Sequence, residues 1–183
     1  RASRMGRDGA HIPRHQCSDQ PTGPVYRRAS RQFADCRRRR MTAVSSGQLY
    51  TPEMLSLATH LADTPPQPDL PLGGTARSTT CGGVLTLDLR MTDGRVSDLG
   101  MLVQACAVGQ ASAALFAKWA SGKSPAQITA SQEDVAQWLA GNGPVPASPD
   151  LSPIAAAQAF SGRHGAIVLP WRAFADALCN TET

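Results

Sequence analysis

The sequence is poor in aromatic residues, poor in charge and without a long apolar run. Aromatics make up 5% of its 183 residues and charged side chains 17%. No stretch approaches the roughly 18 apolar residues of a membrane helix, so no helix of this chain is expected to span a bilayer. The first residues also lack the apolar centre of a secretory signal, so none is expected. The five cysteines, at 17, 36, 81, 106 and 179, are odd in number and widely spaced. They make no disulfide framework and suit reduced thiols in a cytoplasmic compartment. No internal repeat is visible.

What charge there is falls unevenly. Residues 1–40 hold 11 Arg against 3 Asp, whereas the other 143 hold 7 Lys and Arg against 11 Asp and Glu. The net charge of +4 therefore comes from the first forty residues alone. The mildly acidic remainder argues against a nucleic-acid groove in the folded part. The basic segment contains Pro13, Pro21 and Pro24 and ends in Arg37-Arg38-Arg39-Arg40, just before Met41. A basic arm for nucleic acid or anionic lipid is one reading of it. A transit peptide is a second, although a convincing amphipathic helix is missing. The preferred reading is a disordered arm over 1–47, upstream of a self-contained domain over 48–179, with Met41 as a natural start.

Within that domain the patterns are regular. Thr51-Pro52-Glu53 has the chemistry of a helix start, and Met54, Leu57, Ala58 and Leu61 share one face, which predicts a helix over 52–63. Pro65, Pro66, Pro68 and Pro71 then make a stiff connector. Leu85, Leu87, Leu89 and Met91 alternate with Val84, Thr86, Asp88 and Arg90, and Thr92-Asp93-Gly94 supplies a turn. Val96–Val103 returns as the second strand, and 75–80 is expected as a third. After Cys106 the period becomes helical as far as Trp119, with Gly122 just past the end. A helical piece from Ser124-Pro125, a short helix capped by Ser131 and Asp134 and ending at Leu139, a loop over 141–153, a helix over about 153–160 and a terminal helix over 166–178 follow. Strands first and helices after predict an α+β domain, with a three-stranded antiparallel sheet against about five helices.

Two cysteines stand where chemistry is expected. Cys81 ends a strand and precedes Gly82-Gly83, where the backbone can turn sharply and expose the thiol. Cys106 lies between the hairpin and the first turn of a helix, where unpaired amides prepare a sulfur for metal binding or nucleophilic attack. Two soft ligands are half of what zinc or an iron–sulfur cluster needs. Buried, inert thiols are the plainer alternative. Gly122-Lys123-Ser124 lacks the upstream glycine and strand of a phosphate-binding loop and is rejected as one.

The ordered set resembles the U-type iron–sulfur cluster assembly scaffold, the NifU N-terminal-domain family. It comprises Thr80-Cys81-Gly82-Gly83, the hairpin, Cys106 with Gln110-Ala111-Ser112-Ala113, Trp119 to Ser124, and Arg163 followed by Leu169-Pro170-Trp171-Arg172-Ala173. The resemblance covers roughly 48–178. It implies a scaffold or carrier, not an enzyme, that receives sulfur from a cysteine desulfurase, binds iron or a labile iron–sulfur cluster, and passes it to recipient proteins. Cys81 and Cys106 would be the ligands and sulfur acceptors, with zinc as an alternative to iron. Two departures stand out. The family's Asp falls on Gly83, and its third cysteine falls on Ala166. The resemblance makes His164 the substitute third ligand, with Cys179 a poorer one. A metal-free interaction protein on the same fold, and a Cys/His sulfur-transfer enzyme, are the rival readings.

Overall fold

The computed structural model describes residues 49–180; the basic segment expected as an arm lies outside them. The first helix, α1 (Pro52–Thr59), starts where its sequence dictates. Thr51 Oγ1 accepts the Met54 amide at 3.1 Å and Pro52 occupies the first turn. Its last turn tightens into a 3-10 segment, His60–Asp63. Three strands follow, β1 (Leu72–Arg77), β2 (Val84–Thr92) and β3 (Arg95–Gln104), paired antiparallel in the order β1-β2-β3. The helices are α2 (Ala107–Ala120), α3 (Pro125–Leu139), α4 (Ser161–Ile167) and α5 (Leu169–Cys179), with a 3-10 segment at Ser152–Ala159. Among the described residues the expected α+β fold, three strands with five α-helices, is what is found. No helix among the described residues is long and apolar enough to cross a membrane.

The β2–β3 hairpin turns on Asp93 and Gly94, both at positive φ (52° and 71°), the backbone that a two-residue turn of this hand requires. Alternation then does the sorting. Leu85, Leu87, Leu89 and Met101 are buried on the inner face, where α5 packs along β1 and β2. The outer face carries Thr86, Asp88 and the exposed Leu102. Each edge of this small sheet is partly covered. Asp176 Oδ2 accepts the Thr75 amide at 2.8 Å, and Asn180 donates to the Gly73 carbonyl at 3.2 Å. On the β3 side, Val96 exchanges backbone bonds with Gly122 and Lys123, and Met101 N–H donates to the Thr64 carbonyl. Unpaired strand edges invite pairing with another chain, and these contacts cover part of each edge.

Several boundaries differ from the sequence reading; β1 ends at Arg77, not at 80, which leaves Cys81 in a loop, and the segment expected as a helix over about 153–160 is 3-10. β1 begins at Leu72, not Thr75, because Gly73-Gly74 lets the α5 backbone lie directly on the strand; a Cβ on Gly74 would meet the Ala173 carbonyl and the Ala177 amide. The helical piece expected from Ser124-Pro125 and the short helix ending at Leu139 are one continuous helix, α3, capped reciprocally by Ser124 and Gln127. Ser131, expected as a cap, is instead buried mid-helix and accepts the Trp171 indole N–H at 2.7 Å. The terminal helix is two helices, α4 and α5, broken at Val168, with Pro170 in the first turn of α5.

Candidate functional site

The site grows from the end of the sheet. Register Val84↔Gln104 closes the β2–β3 ladder; one step further, Gly83 and Ala105 face each other, and the chains diverge. A Cβ built on Gly83 would lie 3.1 Å from Ala105 Cβ and 3.5 Å from Cys81 Sγ. The thiol of Cys81 is therefore turned towards the junction between β3 and α2. Cys106 sits at that junction as the N-cap of α2, half-buried, and its sulfur makes no capping bond.

Helix α4 closes the other side. A Cβ on Gly109, in the first turn of α2, would be 2.9 Å from Ala105 Cβ and 3.2 Å from Ala166 Cβ. Ser112 Oγ also donates to the Ile167 carbonyl at 2.7 Å. Ala166 is fully buried there, so a side chain at 166 points at the start of α2. The four positions 81, 83, 106 and 166 thus converge at one end of the sheet, around Ala105 and Gly109.

Cys81 is held by a cluster the sequence reading did not single out. Its loop is a tight connection in which Ser78 N–H donates to the Gly83 carbonyl (2.8 Å) and Gly82 N–H to the Ser78 carbonyl (3.0 Å). Buried Ser78 Oγ accepts the Cys81 amide at 3.4 Å and the Cys81 thiol at 3.1 Å, and pairs with Thr80 Oγ1 at 3.1 Å. Gly165 of α4 rests on these hydroxyls, and a Cβ there would collide with Ser78 Oγ and Thr80 Oγ1. Burial pushes the Cys81 thiol up, but other contacts outweigh it. These are the Ser78 hydroxyl, backbone bonds from Gly83 and Cys81 itself, and the nearby Arg163 guanidinium. Together they hold the thiol below its ordinary value and favour the thiolate. The serine three residues before Cys81 was the available signal, since Ser side chains bond nearby backbone in turns.

The remaining expected residues fall elsewhere. His164 Nε2 lies 2.7 Å from the Gln158 carbonyl, tying α4 to the preceding 3-10 segment. Among the described residues no three His, Cys, Asp or Glu side chains come together as a metal-binding group. Cys81, Cys106 and His164 thus do not form such a group, and the His164 imidazole meets the Gln158 carbonyl. Cys179 is exposed at the end of α5. Exposed His60 borders a cleft of about 400 Å³ with Leu57, Leu115 and Lys118, lined by neither thiol. Gly122 and Lys123 are occupied as the clamp on β3.

Residues 62–162 match the family described as the NifU-like N terminal domain. The chain belongs to this family. Among solved structures, this NifU-like chain is similar to the N-terminal part of a nitrogen-fixing NifU-like protein from Brucella abortus. The two are 28% identical with a TM-score of 0.67, over 73% of this chain and 94% of that one. It also shares its fold, at 18% identity and a TM-score of 0.64, with a protein from the thermophilic Fervidobacterium islandicum AW-1. That structure is described as an iron–sulfur cluster assembly scaffold for the SUF system; the match covers 73% of this chain and 99% of that one. No curated protein matches the chain.

Proposed function

We propose that this protein serves iron–sulfur cluster assembly as a carrier, taking sulfur and iron at Cys81 and Cys106 for transfer to recipient proteins. The observation that carries the reading is that Cys81 Sγ lies beside Gly83, next to the strand-to-helix junction where Cys106 caps α2 and Ala166 packs on Gly109, in a chain of the NifU-like family. The neighbour from Fervidobacterium, described as a scaffold for such assembly, supports the same role. A cysteine desulfurase is the sulfur donor this role requires. The chemistry belongs to iron and sulfide, and the protein supplies positions.

The donor set sets a limit. Zinc and iron–sulfur centres take about four protein ligands, and this site offers two thiols. Gly83 brings no donor and Ala166 brings a methyl group. A cluster ligated by this chain alone does not fit, so iron is held as cargo in transit, with its other positions open to sulfide, solvent or a partner. Cys81, with its thiolate favoured, is the better sulfur acceptor of the two positions by environment.

Anaerobic reconstitution of the full chain with iron, sulfide and a desulfurase tests this. The expected result is a sulfide-to-iron charge-transfer absorption that is lost in Cys81→Ser and in Cys106→Ser and kept in Cys179→Ser. His164→Ala is expected to keep it as well, in line with the engagement of that ring by Gln158. Equal retention in the Cys106 and Cys179 variants would refute the ligand assignment. Zinc bound in place of a cluster would make the protein a sulfur acceptor only. Absence of any metal and of any sulfur uptake would favour an interaction protein on this fold.

A further inference from the structure

The mismatch between the family's ligand positions and the residues found here has a chemical consequence. With Gly83 and buried Ala166 in place of two donors, what remains is a pair of thiols on adjoining elements. We infer that Cys81 and Cys106 act as a sulfide-releasing dithiol, in which Cys106 resolves a persulfide carried on Cys81. This rests on the reading above that Cys81 accepts sulfur. It adds that, when no iron is bound, the sulfur leaves as sulfide.

Three features of the site support it. The first is orientation. The vacant Cβ position of Gly83 lies beside both Cys81 Sγ and Ala105 Cβ, so a missing side chain, not a bulky one, separates Cys81 from the β3–α2 junction. The second is availability. Cys106 Sγ makes no capping bond to its own helix, and both thiols are half-buried and free. The third is compliance. Gly82, at φ +70° with open space around it, gives the Cys81 loop a joint, and a disulfide demands a narrow range of separations and dihedral angles.

The steps balance. The Cys81 thiolate attacks the outer sulfur of a donor persulfide, R–S–SH. The donor leaves as its thiolate, R–S⁻, and Cys81 becomes Cys–S–SH. The Cys106 thiolate then attacks Cys81 Sγ, the Sγ–Cys106 bond forms, the S–S bond to the outer sulfur breaks, and that sulfur departs as HS⁻. The sulfane sulfur is reduced to sulfide and the two thiols are oxidised to one disulfide, so this step needs no further electron source. A second turnover needs an external dithiol as reductant. Attack within one molecule is favoured over attack by free thiol because the partners are already held together.

The test uses the reduced full chain without iron, with glutathione persulfide as the probe. Released sulfide is assayed, intact mass is recorded, and peptide mapping assigns any new bond among the five cysteines. The wild type is expected to release about one sulfide per sulfur taken up and to end as a Cys81–Cys106 disulfide. Cys106→Ser is expected to hold the added sulfur on Cys81 and release sulfide more slowly by roughly tenfold or more, the loss expected when an intramolecular thiol is removed. A wild type that retains its persulfide as long as Cys106→Ser overturns the inference and leaves the carrier reading standing. Sulfide release with a disulfide mapped elsewhere also overturns it, and does so on the wild type alone. No sulfur uptake by Cys81 overturns both.

Discussion

At the scale of residues, the feature that sets this site apart is a hydroxyl beneath a thiol. Ser78 is buried, and its oxygen meets the Cys81 amide, the Cys81 sulfur and Thr80. A hydroxyl so placed can donate to the thiolate, which lowers the cost of ionisation. The direction for stability follows. Because the folded-state value lies below that of the unfolded thiol, ordinarily about 8.5, the contribution is fully present above the unfolded value. It is lost as pH falls through the folded one. The rate of Cys81 alkylation by iodoacetamide, followed on its own peptide, should therefore rise at lower pH in the native protein than in urea. Ser78→Ala should move the native profile upward, and Thr80→Val, at an exposed position, should move it less. A Ser78→Ala profile that superimposes on the wild type would show that Arg163 and the backbone bonds suffice.

At the scale of elements, the fold depends on how closely α5 approaches the sheet. That helix lies on Gly74 with backbone against backbone, and it sends Asp176 and Asn180 over the β1 edge. Its other face offers Trp171 to Ser131 of α3. A single glycine thus fixes the spacing of an entire layer. Gly74→Ala should force α5 outward and cost about 1–3 kcal/mol, the usual range for overpacking a filled interface. Gly73→Ala, next to it but with open space at its Cβ position, should cost much less, since added methyls hurt only where atoms already stand. Urea denaturation of the two variants, compared with the wild type, checks the contrast, and equal midpoints would place α5 further from the strand than described.

At the scale of the whole molecule, what the sequence made legible was what repeats. Period-two leucines at 85, 87 and 89 located β2 and its buried face, and the Asp93-Gly94 turn located β3. The strand-to-helix switch at Cys106 located one half of the site and Cys81 the other. What escaped was set by contacts between distant segments. The glycines that extend β1 serve α5, Ser131 serves Trp171, and Ser78 serves a thiol whose loop is closed by Gly165 nearly ninety residues later. Such pairings leave no period. The partner of His164 is hidden for the same reason, since the Gln158 carbonyl that meets its ring is visible only in three dimensions. These long-range links also mean that the thiol site is not a detachable loop. Phe116 of α2 stacks against Trp171 at 5.1 Å, nearly edge-on, and touches Trp119 and Phe174. With so few aromatics in the chain, that group joins α2, which carries Cys106 at its start, to α5, which continues from α4 beneath Cys81. Phe116→Ala should therefore cost about 3–5 kcal/mol and should loosen the site as well as the core. Tryptophan fluorescence and the iodoacetamide reactivity of Cys106, measured across the same urea series, should report one transition at one midpoint in the wild type. In Phe116→Ala both should shift down together. Cys106 becoming reactive well before the tryptophans respond would mean that the site opens on its own, and that the aromatic cluster does not hold it.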